Sequence, residues 1–170
     1  MEYLDEEIIK KILEKIDKNI NTTLKWKSHL RNKIIFLLLL YTGAKLNEIL
    51  ELNKKNIDLE NNKIYIGSKK KQREIPIHPN LRPELEKYLK FVDKNEKLFD
   101  ITRQVFNIYL SQLSNELSIK ITPRIITNTF IKRAIEANIP ADIITKWVGR
   151  RIEFKNITMK SDYEFMMRIP

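Results

Sequence analysis

The sequence predicts a mainly helical domain that carries one small three-stranded antiparallel β-sheet. Apolar side chains recur at helical spacing along most of the 170 residues, and between residues 57 and 77 the spacing changes to the alternation typical of strands. The longest apolar run, Ile34 to Tyr41, is far shorter than the roughly twenty residues that cross a bilayer, so we expect a buried core helix there. Since no linker, repeat or low-complexity tract divides the chain, we expect a single domain over residues 1–170.

The first three helices are predicted from their caps and stop signals. Asp5 precedes two glutamates and an apolar 3.6-residue period, which predicts a capped first helix that breaks at Asn21. A second helix is expected from about Ser28, through the apolar run, to Gly43. A short third helix is expected to start near Leu46, because apolar residues resume helical spacing there.

The sheet is predicted from three pairs of apolar residues that alternate with polar ones. These pairs are Ile57 with Leu59, Ile64 with Ile66, and Ile75 with Ile77. Asn61 and Asn62 supply a turn signal between the first two strands. The stretch from Ser68 to Gln72 joins the second and third strands and makes a very basic hairpin tip.

Helices return in the second half of the chain. One has Pro83 in its first turn, a second opens at Thr102, a third opens at Thr122–Pro123, and a fourth runs from Pro140 to Gly149. Two faces are expected to point inward, one with Val105, Phe106, Tyr109, Leu110 and Leu113, the other with Ile126, Phe130, Ile131, Ala134 and Ile135. A last segment from about Thr158 carries Tyr163, Phe165, Met166 and Met167.

The composition favours a polyanionic partner and excludes several kinds of site. Lysine and arginine number 32 against 22 acidic residues, a formal charge of +10, and neutralising phosphates with such charges releases counterions. The alternative is a lysine-rich surface that only maintains solubility. The absence of cysteine excludes disulfides and thiolate chemistry, and two histidines are too few for an imidazole-rich metal centre. We therefore expect no cofactor and no metal.

The sequence also predicts where the protein acts. The N-terminus begins at once with acidic residues, which is unlike a signal peptide, and no apolar run is long enough to span a membrane. We therefore expect a cytoplasmic protein without a membrane partner.

Three segments, in order, resemble the tyrosine recombinases, the phage-type integrases. The segment LLLYTGAKLNEI, residues 38–49, is similar to the family's box LLYTGLRxSEL, in which the arginine is catalytic. The basic hairpin ends in REIPI, residues 73–77, which resembles the family's lysine-bearing turn followed by ERxxPL. In the third segment, TPRIITNTF, residues 122–130, resembles TPHxLRHTF, and IITKWVGR, residues 143–150, resembles IxxxLGH with the Gly-Arg ending common in archaeal viral integrases.

This resemblance covers almost the whole chain and implies both a fold and a reaction. The fold implied is the recombinase catalytic domain, helical with a three-stranded sheet at its edge, without the N-terminal core-binding domain that usually accompanies it. The reaction implied is attack by a tyrosine hydroxyl on a phosphodiester of double-stranded DNA, which leaves a 3′-phosphotyrosine and a 5′-hydroxyl. The family also exchanges C-terminal segments between copies, and the apolar tail through Met166, Met167 and Ile169 could form such a homo-oligomer. No small-molecule substrate is implied.

The resemblance places basic residues at the first arginine position and on the hairpin. Lys45 stands at the first arginine position, where it keeps the charge but loses the planar bidentate fork. For the lysine that protonates the leaving 5′-oxygen, ungapped alignment selects Ser68, and since hairpin tips vary in length we select Lys69, with Lys70 and Lys71 as alternatives. The alternative for each of these lysines is a plain surface or DNA-backbone contact.

The remaining matches are partial. Arg124 stands at the family's histidine position, Thr127 at the second arginine, and Arg150 at a position that is His or Trp in many members. Arg124 lies three residues from Thr127 on one helix face, so it is a hypothetical substitute for the missing guanidinium. The predicted nucleophile is Tyr163, preceded by Asp162 where the family often has histidine. The alternative for Tyr163 is an aromatic anchor packed with Phe165.

Three hypotheses remain open at this point. The first is a working DNA strand transferase with a rearranged set of Lys45, Lys69, Arg124, Arg150 and Tyr163. The second is a catalytically degenerate recombinase domain that binds DNA through the same face. The third is a basic helical module that binds RNA or a protein, with the motifs matched by chance. In the DNA hypotheses the predicted contacts are Lys45, Lys69, Lys70, Lys71, Arg73, Arg124, Thr127, Arg150 and Arg151.

Overall fold

The protein is mainly helical with one small sheet, and a computed structural model describes residues 1–93, 96–151 and 162–170. The first half contains α1 (Glu6–Thr22), α2 (Trp26–Thr42), α3 (Leu46–Leu50), a 3₁₀ turn (Lys54–Asn56), β1 (Ile57–Asp58), β2 (Lys63–Ile66) and β3 (Arg73–Pro76). The second half contains α4 (Arg82–Leu89), α5 (Arg103–Leu117), α6 (Pro123–Glu136), α7 (Ala141–Val148) and α8 (Asp162–Met166). The predicted fold class is confirmed.

Helix α2 is the centre of the core. Its residues from Ile34 to Tyr41 are all buried, and α1, α3, α4 and α6 pack around it. Among the described residues, no helix is long and apolar enough to cross a membrane. The helix starts at Trp26, two residues before the predicted start, and ends where predicted, at Gly43 in the left-handed conformation.

Gly43 also lies in close contact with neighbouring helices. Its φ of 68° is unfavourable for any residue with a Cβ. A Cβ built there would lie 2.5 Å from Phe130 of α6 and 2.9 Å from Val148 of α7. The glycine therefore allows α2, α6 and α7 to meet at one point.

The predicted three-stranded antiparallel sheet is confirmed, and the structure adds its register. The strands pair antiparallel in the order β1-β2-β3, with Ile64 opposite Ile57 on one side and Ile75 on the other. Ile64, Ile66 and Ile75 are buried, so one face of the sheet covers the core. Residues 68–72 form the exposed basic tip.

Helices α5 and α6 begin where predicted, with threonine caps. The Oγ1 atoms of Thr102 and Thr122 each accept a hydrogen bond of 3.2 Å from the backbone N–H three residues later. Two predicted inward-facing residues are wrong, since Val105 is 49% exposed and Ile135 is 38% exposed. Each lies next in sequence to a fully buried residue, Phe106 or Ala134, and one residue corresponds to about 100° of rotation around the helix.

The C-terminal tail packs on its own chain. The predicted start of this segment, near Thr158, lies outside the described residues, and α8 begins at Asp162. Met166 and Ile169 are buried, whereas Met167 is 50% exposed. His78 Nδ1 accepts from the Asn80 N–H, so His78 Nε2 donates to the Ile169 carbonyl at 2.6 Å. Two tail residues predicted for exchange between copies are therefore seated within one copy here.

We expect Gly43→Ala to lower the free energy of unfolding by about 2–4 kcal/mol, because left-handed strain and overpacking against Phe130 add together. Ser118→Gly is the matched control, since Ser118 also has a positive φ of 53° but is exposed, and glycine relieves that strain. Denaturant unfolding monitored by circular dichroism measures both. An alanine at position 43 that leaves stability unchanged would contradict the close packing.

Candidate functional site

Four segments of the chain meet around a solvent-facing cavity of about 290 Å³. We call it the cationic cavity, because its lining includes Lys45 before α3, Arg103 and Arg124 in the first turns of α5 and α6, and Arg150 after α7. The rest of the lining consists of Gly43, Leu46, Asn47, Pro123, Thr127 and Val148. The cavity thus combines side chains that are far apart in sequence.

The four cations of this cavity form no ion pair within the described part of the chain. No aspartate or glutamate is among its described lining residues. Lys45, Arg103, Arg124 and Arg150 are all exposed, and none of their side chains forms an ion pair with another described residue. Like charges held at one concave surface raise the local positive potential, so the cavity favours an anion.

The structure brings together several of the residues selected from the sequence. Lys45, Arg124, Thr127 and Arg150 all line the cationic cavity. Thr127 is 9% exposed, and its hydroxyl donates to the Arg124 carbonyl at 3.0 Å. It can therefore offer the cavity only a neutral oxygen, not a charge.

The hairpin lysines and Arg151 lie elsewhere. Lys69, Lys70 and Lys71 are exposed at the tip between β2 and β3, and they are not part of the described lining of the cationic cavity. Arg151 is exposed after α7 and does not line it either.

Arg73 has a different place from the one predicted. Its Nη1 and Nη2 donate to the two carboxylate oxygens of Glu48 at 3.0 and 2.7 Å. Its Nε donates to the Trp147 carbonyl at 2.7 Å, and Nη2 also donates to the Val148 carbonyl at 3.3 Å. The Arg73 side chain is 11% exposed and its guanidinium is turned inward, so the residue predicted to contact DNA is engaged within the chain. We call this arrangement the Arg73 bridge.

The Arg73 bridge connects β3, α3 and the end of α7. Glu48 Oε2 also accepts from the Lys45 N–H at 2.9 Å, so one carboxylate holds both Arg73 and the backbone of a cavity residue. Gly149 closes the other side, since a Cβ there would lie 2.7 Å from Arg73 Cζ. The bridge therefore sets the positions of the segments that carry Lys45 and Arg150.

The Glu48 carboxyl titrates below its usual range. Burial raises its pKa, but the hydrogen bonds from the Arg73 side chain and the Lys45 backbone, with the charges of the same two residues, outweigh burial. The net result is a lowered pKa, so the ionised form of Glu48 stabilises the fold.

Among the four described cations of the cationic cavity, Arg103 is the one that no sequence motif identifies. Thr102 was recognised as a cap, but Arg103 lies outside the recombinase-like boxes. A signal was present, because a basic residue in the first turn of a helix is unfavourable beside the positive end of the helix dipole. Arg103 and Arg124 both have this unfavourable position, which an anion would stabilise.

Tyr163 lies at a second cavity of about 430 Å³. Its other lining residues are Asn61, Asn62, Lys63, Glu74, Pro76 and Lys146. Tyr163 is 47% exposed, whereas Phe165 and Met166 are buried, so those two residues anchor α8. Tyr163 is not part of the described lining of the cationic cavity, and the Asp162 side chain lies outside what the structure describes.

We expect Glu48→Gln to lower the free energy of unfolding by about 1–3 kcal/mol at neutral pH, because it weakens a charged hydrogen-bonded pair. Since the folded pKa is lowered, the contribution of Glu48 is fully present above its ordinary pKa of 4.5 and is lost as pH falls through the folded value. Unfolding of both proteins between about pH 3 and 7 measures this. A stability difference that stays constant over that range would contradict the proposed ionisation.

Comparison with known proteins identifies the family. The sequence matches the phage integrase family over residues 2–164. Tyrosine recombinase XerA of Saccharolobus solfataricus is 31% identical over 123 residues, which cover 71% of this chain and 42% of that protein. Tyrosine recombinase XerA of Pyrococcus furiosus is 29% identical over 159 residues, which cover 86% of this chain and 52% of that protein. The chain thus spans about half the length of these relatives.

Solved structures share the fold. XerH site-specific recombinase, in a pre-cleavage complex with its difH substrate, superimposes with a TM-score of 0.73 at 22% identity, over 88% of this chain and 47% of that one. The crystal structure of XerA recombinase superimposes with a TM-score of 0.72 at 20% identity, over 100% of this chain and 59% of that one. With the sequence match over residues 2–164, these findings confirm the resemblance, and the chain belongs to the phage integrase family.

Proposed function

We propose that this chain binds double-stranded DNA and cleaves and rejoins one strand through a covalent bond to Tyr163. The observation that carries the proposal is the convergence of Lys45, Arg103, Arg124 and Arg150 on the cationic cavity. A backbone phosphate is the anion that such a surface suits best, because guanidinium groups bind phosphate oxygens in bidentate pairs. The family and the names of its recombinase relatives support the same conclusion.

The proposed reaction assigns each group a step. The Tyr163 oxygen forms a bond to phosphorus and loses its proton to water, while the bond from phosphorus to the 5′-oxygen breaks. The cationic cavity stabilises the negative charge that develops on the phosphoryl oxygens. Lys69, or Lys70 or Lys71 beside it, donates the proton that the departing 5′-oxygen needs. Because these lysines are not part of the described lining of the cationic cavity, this step requires the hairpin tip to approach the phosphate when DNA is bound. Attack by a 5′-hydroxyl on the phosphotyrosine reverses the sequence and rejoins a strand.

The position of Tyr163 places a condition on this reaction. The tyrosine lines the second cavity, while the phosphate would occupy the cationic cavity. Cleavage therefore requires that α8 change position, or that a second copy supply its own Tyr163. The second route agrees with a homo-oligomer formed through the C-terminal segment. We propose residues 1–170 as a single catalytic domain in either case.

A second candidate function is DNA binding without cleavage. Two observations favour it: Thr127 offers no charge at the second arginine position, and Tyr163 is not part of the described lining of the cationic cavity. The module would then hold duplex DNA through the same cavity. The third hypothesis, an RNA- or protein-binding module, assumed chance matches to the motifs, and the family match removes that assumption.

A covalent adduct separates the two candidates. We expect the wild-type chain to form an adduct that survives denaturing electrophoresis when it is mixed with a pool of nicked duplexes carrying randomised cores, because a nick prevents religation. Tyr163→Phe removes only the nucleophilic oxygen, so it should abolish the adduct and leave duplex affinity unchanged. Sequencing of the trapped DNA would define the target.

The control for that assay is Tyr3→Phe, since Tyr3 is also an exposed tyrosine but lies outside the second cavity. An equal adduct yield from Tyr163→Phe and wild type would reject Tyr163 as the nucleophile. No adduct from wild type, together with salt-sensitive duplex binding, would reject cleavage in favour of the binding module. A mixture of Tyr163→Phe and Arg124→Ala tests the second-copy route. If the mixture forms an adduct and neither variant does so by itself, one copy must supply Tyr163 and the other must supply Arg124.

Duplex affinity should fall with salt, and Arg150→Ala should reduce the slope of log affinity against log salt by about 0.9, the value for one phosphate contact. The matched control is Lys87→Ala, because Lys87 is exposed on α4 and is not in the described lining of the cationic cavity. Fluorescence anisotropy over a range of salt concentrations measures both slopes. Equal slopes for the two variants would remove Arg150 from the phosphate contacts.

A further inference from the structure

We propose that Arg103 supplies the guanidinium group that contacts the scissile phosphate in place of the arginine that Thr127 replaces. This inference rests on the proposed strand cleavage and assigns a catalytic residue that no motif contains. Its basis is that Arg103 of α5 and Thr127 of α6 line the same cavity although they come from different helices.

Thr127 leaves a specific deficit at this site. Its hydroxyl proton is directed to the Arg124 carbonyl at 3.0 Å, so it does not donate to a ligand in the cavity. A transition state with charge on several phosphoryl oxygens is best stabilised by planar groups that donate two parallel hydrogen bonds. Lys45 cannot replace such a group, because an ammonium is a point charge without the fork.

Arg103 has the chemistry and the freedom to fill that deficit. Its side chain is exposed and forms no hydrogen bond or ion pair with any residue that the structure describes. Its backbone position is nevertheless fixed, because Thr102 caps α5 and Phe106 on the next turn is completely buried. A fixed backbone with an unpaired guanidinium group is the arrangement expected of a residue that binds an anion.

The surroundings also indicate an anion at this point. Arg103 starts a helix, where a positive side chain is destabilised by the helix dipole, and three further cations share its cavity. No described lining residue carries a negative charge. Bound phosphate would offset both the unfavourable helix dipole at Arg103 and the repulsion among the cavity cations. The clustering of these cations is therefore explained by a ligand and not by the stability of the free protein.

The competing role for Arg103 is recognition of a base. An arginine can donate two hydrogen bonds to guanine in the major groove, and loss of that contact would change affinity and sequence preference. A phosphate contact in the transition state would instead change the cleavage rate, with little change in affinity or preference. The two roles therefore have different experimental signatures.

The test compares Arg103→Ala, Arg103→Lys and the control Lys87→Ala on the duplex trapped by the wild-type chain, measuring single-turnover adduct formation and duplex affinity separately. We expect Arg103→Ala to slow adduct formation by about 100- to 1000-fold, as for loss of one oxyanion donor. Arg103→Lys should recover little of the rate, because it restores charge without the fork. Lys87→Ala should behave as wild type.

Two rescue experiments distinguish a local contact from a structural effect. Free guanidinium ion should accelerate adduct formation by Arg103→Ala and not by wild type, whereas sodium at the same concentration should not. Thr127→Arg should restore at least part of the rate to Arg103→Ala, because it returns a guanidinium group to the same cavity. Thermal melting of each variant reports whether the fold is kept. If Thr127→Arg does not fold, rescue by free guanidinium ion still tests the role of Arg103.

The outcomes separate this inference from the function on which it rests. No adduct from wild type overturns both. An adduct from wild type with Arg103→Ala within threefold of its rate leaves strand cleavage intact and overturns the role of Arg103. If Arg103→Ala is slow and its duplex affinity or its trapped sequences change in proportion to the rate, Arg103 recognises a base. That result also overturns the proposed phosphate contact.

Discussion

The Arg73 bridge is the interaction on which the site depends. One guanidinium joins the Glu48 carboxylate to two carbonyls at the end of α7, and the same carboxylate accepts from the Lys45 backbone. These contacts fix α3 and the end of α7, which carry two of the four cavity cations. Since like charges repel one another, only a stiff internal framework can keep them at one concave surface. A half-buried ion pair thus maintains an exposed cluster of unpaired charge.

Much of the fold could be predicted because local signals agree with the tertiary structure. The threonine caps, the left-handed glycines and the alternating isoleucines each act over a few residues, and the structure places all of them as expected. Two inward-facing predictions, Val105 and Ile135, are wrong, because their exposure depends on which neighbouring helix covers a face. Periodicity defines the width of an apolar face only to within about one residue.

The site was predicted less completely, and the reason is physical. Lys45, Arg124 and Arg150 were found because they stand within recognisable segments. Arg73 stands within one too, but whether a long basic side chain points to solvent or to a half-buried carboxylate depends on residues distant in sequence, here Glu48 and Trp147. Arg103 was missed for the opposite reason, since its chemistry is visible only when α5 is placed beside α6.

The contact between Gly149 and Arg73 has a consequence for how this sequence can vary. A side chain at position 149 would occupy the space in which the guanidinium lies. Replacement of Gly149 alone would therefore displace Arg73 from Glu48, whereas a shorter residue at position 73 would make that space available. Among related chains, positions 73 and 149 should consequently behave as a correlated pair although they are distant in sequence, and a departure at one should be accompanied by a departure at the other.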